Sequence, residues 1–237
     1  MIHQLIFAKP KPGMTEKDFQ AYWLNVHAIN YASKISQIRR YMICTRMDYE
    51  LPKLGLQEAS EPLFGGVAEL WLRPEDQIAS LQSKEFLEGA RADEPRWAAF
   101  WATLVLDTEE HVIIEGPALT ANPTWVKFYR MLKRSEGVSL GLFREFALGP
   151  YAESVKLLPG LRRCLQCHVR NGAYEVGESR FDAVEQWWFD NITALQAALT
   201  SSVCLGTVTD RQNCFVQQRY LFTMAAREHW IIGPQER

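Results

Sequence analysis

Three short motifs occur twice along this chain, in the same order and at nearly constant separation. Ile38-Arg39-Arg40 returns as Leu161-Arg162-Arg163, Glu69-Leu70-Trp71 as Glu185-Gln186-Trp187, and Glu110-His111-Val112-Ile113 as Glu228-His229-Trp230-Ile231. Each match is weak alone, but offsets of 116 to 123 residues that keep their order mark a tandem duplication. Two copies of a unit of that size must therefore build the fold. The division expected is residues 1–115, a linker over 116–123, and residues 124–237.

Within the first copy the local signals spell β-α-β-β-α-β. Residues 2–8 form a short apolar run stopped by Lys9-Pro10-Lys11-Pro12-Gly13, a strand followed by a turn. Thr15, three residues before Asp18, opens a helix with a variant of the capping box. At about 100° per residue, Phe19, Tyr22, Trp23, Val26 and Asn30 share one arc, and His27 lies on its shoulder, about 80° from Phe19. Residues 38–49 read as a second strand, with Tyr41, Ile43, Thr45 and Met47 on one face and Arg40, Met42, Cys44, Arg46 and Asp48 on the other. Neither face is cleanly polar, so both are expected to be covered. Residues 51–64 contain Pro52, Gly55 and Pro62 and read as a loop long enough to cover a pocket. In the third strand, residues 65–72, Ala68, Leu70 and Leu72 suit a helical layer, while Val67, Glu69 and Trp71 point the other way. Pro74 with Glu75 and Asp76 starts a helix, a further short helix is expected around residues 94–101, and a strand over 103–114 closes the unit.

The second copy follows the same plan, with a strand over 125–132, a helix over 139–155 bearing Phe143 and Phe146, and a strand over 161–170. One such unit covers one sheet face with helices and leaves the other bare, and a bare face needs a partner. The fold class expected is α+β: two ferredoxin-like βαββαβ halves packed sheet to sheet as an intrachain pseudo-dimeric α+β barrel. Val67, Glu69 and Trp71 are expected to face Ala183, Glu185 and Trp187 across the inner space. A monomer is natural for such a chain, and a homodimer remains open to it.

Composition narrows the function classes. Among 237 residues, 47% are apolar and 12% aromatic, enough for a sizeable core, and the net charge of −2 comes with no basic stripe to bind nucleic acid. The longest apolar runs are of strand length, and no signal segment or membrane span is legible, so the expectation is a cytoplasmic protein acting on a small molecule. Five cysteines form an odd set and are expected to be reduced. Cys164-Leu165-Gln166-Cys167-His168 matches the spacing of c-type haem attachment, but on a strand residues three apart point to opposite faces, so buried strand thiols are the plainer reading. P-loop, GxGxxG, GxSxG and HExxH patterns are absent, and the five histidines are too dispersed to define a metal site.

The stretch KPGMT, then F-x-x-Y-W-x-x-x-H, then a strand carrying Arg39-Arg40-Tyr41 resembles the EthD-domain proteins of the dimeric α+β-barrel superfamily. The likeness is clearest over residues 6–43 and returns, eroded, over 126–165. By the repeat, Trp23 corresponds to Ala147, His27 to the region of Gly149 to Tyr151, and Tyr41 to Cys164. Thus one half is expected to be functional and the other supporting. That superfamily includes muconolactone-type isomerases, polyketide cyclases, quinone-forming monooxygenases and haem enzymes. Related methylisomerases use a helix His and a following-strand Tyr, which implies His27 and Tyr41 as site residues here.

On that basis the expected activity is a cofactor-free lyase, isomerase or cyclase acting on an oxygenated, ring-containing metabolite. His27 would serve as general base and acid and Tyr41 as hydrogen-bond donor. Trp23 would stack on the ligand, with Asn30, Arg40, Arg46 and Glu69 as further binding residues and no metal. Strand parity puts neither arginine on the face of Tyr41. The alternatives are a cofactor-independent or haem-assisted monooxygenase and a non-catalytic binding or accessory protein. Each residue also has a plainer role: His27 as a satisfied packing residue, Trp23 as core, Tyr41 as a buried phenol, and Glu69 with Glu185 as part of a symmetric interface.

Overall fold

The computed structural model describes residues 1–48 and 62–237. Eight strands form: β1 (Ile2–Ala8), β2 (Ile38–Arg46), β3 (Gly66–Leu72), β4 (Leu104–Ile114), β5 (Val126–Leu132), β6 (Arg163–Val169), β7 (Ala183–Phe189) and β8 (Phe222–Ile232). They close into an antiparallel barrel in the order β1-β3-β2-β8-β5-β7-β6-β4. Each half contributes four adjacent strands, and the halves meet through β2 with β8 and β4 with β6. Two ferredoxin-like halves in one chain thus supply each other's missing sheet face, as the duplication requires. The expected pocket cover, residues 51–64, lies outside the described residues apart from 62–64.

Alternation along the strands divides the core into three layers. Leu5, Phe7, Met42, Cys44, Val67 and Trp71 point into the barrel with Tyr129, Met131, Val184 and Trp188. Tyr41, Ile43, Ala68, Leu70 and Leu72 point outward and pack under the helices of the first half, and Phe128, Trp187 and Phe189 do the same in the second.

One expectation about facing residues is corrected here. Ala183, Glu185 and Trp187 lie on the outer, helix-covered face of β7, and Val184, Gln186 and Trp188 face the interior. Strand pairing gives the reason, since Glu69 is opposite Leu5 and Gln186 is opposite Tyr129. Glu69 is thus equivalent to Gln186. The letter match between Glu69-x-Trp71 and Glu185-x-Trp187 is one residue out of register, and one residue reverses the face.

The helix that carries the site is α1 (Glu16–Tyr22), continued by a π-helical turn at Trp23–His27. Thr15 caps it by accepting from the Asp18 backbone N–H at 3.1 Å. The Ala28 N–H reaches back to the Trp23 carbonyl, a wider turn than the α-helix allows, and Trp23 and His27 are both buried. His27 therefore sits within the packed face instead of on its shoulder. Close approach of this helix to the sheet depends on Gly66, where an added Cβ would lie 2.7 Å from the Cys44 carbonyl oxygen and 3.1 Å from the Trp23 ring.

The equivalent helix of the second half, α2 (Leu140–Phe146), also runs into a π turn, Ala147–Tyr151. There Gly149 leaves helical geometry before Pro150.

Candidate active site

Between the outer face of the first-half sheet and its helices lies an apolar cavity of about 100 Å³. Its walls include Trp23 and His27 from the π turn, Tyr41 from β2, Leu70 from β3, and Trp97 and Glu94 from the segment before β4. The scale is near that of a roughly 150 Å³ engineered cavity that takes up benzene, so it suits one ring and not three fused ones.

His27 is buried and held by a residue that no local signal announced. Its Nδ1 is 3.0 Å from Asp93 Oδ2, and Asp93 is itself only 2% exposed. The other Asp93 oxygen accepts from the Tyr22 hydroxyl at 2.9 Å, with Arg96 Nη1 at 3.6 Å. Trp97 Nε1 also lies 3.2 Å from His27 Nδ1. Both contacts cannot be hydrogen bonds through one protonated nitrogen, and the carboxylate, as the stronger acceptor, places the proton on Nδ1. Nε2 is then the basic nitrogen, and it has no protein hydrogen-bond partner among the described residues. Burial lowers the His27 pKa, with Asp93 acting in the opposite direction, so the imidazole is neutral near pH 7. A neutral imidazole with one nitrogen held and the other free can accept and return a proton.

Tyr41 is 1% exposed, and burial pushes its phenol well above the usual range, with the neighbouring Trp23 side chain opposing. It is a hydrogen-bond donor at any ordinary pH. Trp23 and Trp97 of the cavity wall pack against each other and against Phe19 behind them, with ring centroids 5.0 to 5.3 Å apart.

The cavity therefore brings together His27, Tyr41 and Trp23. It does not bring in the other expected residues. Asn30 is exposed on the far side of the helix and does not line the cavity. Arg40 stacks on Trp71 at 4.3 Å on the opposite side of the sheet, and Arg46 pairs with Glu16 at the start of α1. Glu69 is inside the barrel, fully buried, 2.6 Å from Lys127 Nζ and 2.9 Å from His3 Nε2, with the Tyr129 hydroxyl also donating to it. Burial alone would raise its pKa, but Lys127 and His3 hold it well below the carboxylate range. These four belong to the surface and the interior network.

The second half has filled the corresponding space. Ile6, Ala68 and His27 line the first cavity, and by strand register and helix position their counterparts are Arg130, Glu185 and Tyr151. Arg130 Nη1 lies 2.8 Å from Glu185 Oε2, which also accepts from the Tyr151 hydroxyl at 2.8 Å, and all three are buried. Glu185 is thus the partner of Arg130 in a closed core and not a carboxyl pair with Glu69.

Haem fits neither place that sequence points to. Cys164 packs in the helical layer and Cys167 in the barrel interior, on opposite faces of β6. The cavity at His27 is well below the roughly 300–1,000 Å³ of pockets that hold drug-sized ligands, let alone a porphyrin. Among the described residues, no group of three or more His, Cys, Asp or Glu side chains is placed to hold a metal ion. Nor is any single helix among them long and apolar enough to cross a membrane.

Closed strand order and the cavity between sheet and helices define the class: an α+β barrel of the dimeric type, built within one chain. Within that class, residues 11–100 match the family model for the EthD domain. No curated protein matches the sequence. Among solved structures it is similar to an anthrone oxidase-like protein, at 12% identity with a TM-score of 0.59 over 97% of this chain and 92% of that one. A candidate monooxygenase from Lactobacillus acidophilus NCFM aligns at 10% identity and a TM-score of 0.54, covering 96% of this chain and 93% of the other. A candidate chlorite dismutase aligns at 10% identity and a TM-score of 0.52, covering 95% and 94%. At such identities the likeness is one of fold. It nonetheless overturns the expectation of a lyase, isomerase or cyclase, because the whole-chain neighbours are described as oxygen-handling proteins.

Proposed function

We propose that this protein is a cofactor-independent monooxygenase that converts a small, electron-rich phenol or its ring-ketone tautomer into the corresponding quinone. The observation that supports it most is the buried His27, held through Nδ1 by Asp93 at 3.0 Å, with Nε2 unpaired among the described residues and the ring lining an apolar cavity. The anthrone oxidase-like and monooxygenase-like folds favour the same chemistry, and the cavity volume limits the buried part of the substrate to a single ring.

In this reading His27 Nε2 takes the phenolic proton, and Tyr41 donates a hydrogen bond to the oxygen where charge develops. The electron-rich anion reduces O₂, which as an apolar molecule enters the cavity readily. A C–O bond forms at the ring carbon para to the oxygen, and His27 returns its proton to the peroxide. His27 then removes the ring C–H proton, the O–O bond breaks, and the departing hydroxide takes that proton to leave as water. Phenol plus O₂ gives quinone plus water. The substrate supplies all four electrons, so no external reductant enters.

The first half, residues 1–115, carries this site, and residues 124–237, joined through 116–123, support it by closing the barrel. All five cysteines are free, four of them buried, which fits a reducing compartment such as the cytoplasm. The chain would act as a monomer, since the interface that single-unit relatives obtain by pairing is internal.

Oxygen uptake by purified protein with methoxyphenols bearing a free para position tests the reading. One atom from ¹⁸O₂ in the quinone, and a 10²- to 10⁴-fold loss of rate in folded His27→Gln, is the expected result. No oxygen uptake across the panel, or product oxygen drawn from water, would overturn it.

A further inference from the structure

The cavity that holds His27 and Tyr41 has one further titratable wall residue, Glu94. Its position differs from theirs. His27 and Tyr41 are buried, whereas the Glu94 side chain is 26% exposed, so it stands where the cavity meets water. One carboxylate oxygen, Oε2, is held by Arg91 Nη1 at 2.5 Å on the outer surface. The other, Oε1, has no hydrogen-bond partner among the described residues. Asp93, the adjacent residue, is a buried carboxylate that holds His27 behind the same wall. The arginines expected to hold an anionic ligand, Arg40 and Arg46, are elsewhere, and no Lys or Arg among the described residues lines the cavity.

We infer that Glu94 sets substrate specificity at the cavity mouth, accepting a hydrogen bond from a neutral hydroxyl on the outer end of the ligand and rejecting ligands with a carboxylate there. The assignment rests on the proposed site, with the reacting oxygen of the ligand placed at His27 and Tyr41. Arg91 does not cancel the effect, because its side chain is 54% exposed and its charge is screened by water, while Glu94, the less exposed of the two, lines the apolar cavity. An ammonium group is no better a match. It would have to leave water for an apolar cavity and meet a carboxylate already paired with Arg91. A hydroxyl satisfies Oε1 at small desolvation cost, and a carboxylate in its place puts two acceptors and two negative charges together. Burial also raises the Glu94 pKa, with Arg91 opposing, which agrees with a carboxyl turned partly away from solvent.

The test compares 4-hydroxybenzyl alcohol with 4-hydroxybenzoate. Both have a phenol for the inner end and differ at the outer end, and both are blocked at the para carbon, so neither can be turned over. Dissociation constants are read from quenching of tryptophan fluorescence, to which Trp23 and Trp97 in the cavity wall contribute. The wild type is expected to bind the alcohol at least about tenfold more tightly than the carboxylate. Glu94→Gln should shrink that ratio severalfold, and Glu94→Lys should invert it. Equal affinity of the wild type for both ligands would overturn the assignment, as would an unchanged ratio in Glu94→Gln. The wild-type ratio needs no variant to fold. Because the assay measures binding alone, selectivity without any oxygen uptake would retire the monooxygenase reading and leave Glu94 as the specificity residue. Oxygen uptake without selectivity would do the reverse.

Discussion

Asp93 Oδ2 and His27 Nδ1 stand 3.0 Å apart, both buried, across 66 residues of sequence. The pairing fixes the ring orientation and the tautomer together, which is what turns a buried histidine into a base with a defined direction. Replacing Asp93 by Asn keeps the shape but substitutes a neutral amide that can also present its N–H to Nδ1. We expect Asp93→Asn to lower kcat by roughly 10²-fold or more, and to cost about 1.5–3 kcal/mol of stability through the lost charged hydrogen bond. Stopped-flow oxygen consumption and thermal denaturation check the two effects separately.

The pH dependence follows from the same pair. Burial lowers the His27 pKa, so the acidic limb of kcat/KM should fall below the ordinary imidazole value of about 6.5. Asp93 opposes that shift, and Asp93→Ala should move the limb lower still. Stability has the matching sign. The folded state binds the proton less readily than the unfolded chain, so the His27 contribution is intact above about pH 6.5. It is lost as pH falls from there through the folded value. Melting temperatures of wild type and His27→Gln should converge on acidification across that window.

Tyr41 separates chemistry from packing. Its ring fills the layer between sheet and helix, while its hydroxyl, raised in pKa by burial, has the Trp23 side chain as its polar neighbour. Tyr41→Phe should leave the melting temperature nearly unchanged and reduce kcat by about 10²-fold, the usual scale for one lost oxyanion donor. An equal loss in both measurements would make the phenol structural.

Inside the barrel, Lys127 of the second half is 2.6 Å from Glu69 of the first, and neither is exposed. Removing Lys127 leaves Glu69 to His3 and the Tyr129 hydroxyl, and removing Glu69 leaves Lys127 to the more distant Glu228 at 3.5 Å, so each buried charge loses its strongest partner. Glu69→Gln and Lys127→Met should each cost roughly 3–5 kcal/mol, and the double variant should cost less than the sum of the two. Chemical denaturation of the four proteins closes the cycle.

Arg130 tests the asymmetry between halves. Arg130→Leu strands Glu185 in the second-half core and should lower stability by a similar amount. Oxygen consumption at temperatures below the transition should be unaffected, since this core lies apart from the His27 cavity. A proportional loss of activity would show that the second half takes part in the site.

Much of the fold was legible in the chain because its signals are local or periodic. Thr15 announces the helix cap through a contact three residues long. Alternation along β3 correctly assigns Ala68 and Leu70 to the helical layer, and alternation along β6 puts Cys164 and Cys167 on opposite faces. The duplicated motifs dictate two halves, and two bare sheet faces have one economical solution, closure onto each other. What sequence alone did not determine depends on register and on distant contacts. A one-residue slip in matching Glu69 with Glu185 exchanges interior for exterior, and only the strand pairing of Glu69 with Leu5 and of Gln186 with Tyr129 resolves it. The π turn that brings His27 into the packed face leaves no mark in residue types. Asp93 reaches His27 and Glu94 reaches the cavity only because the chain folds back over α1, and their charge has meaning there because burial removes much of the water that would otherwise screen it.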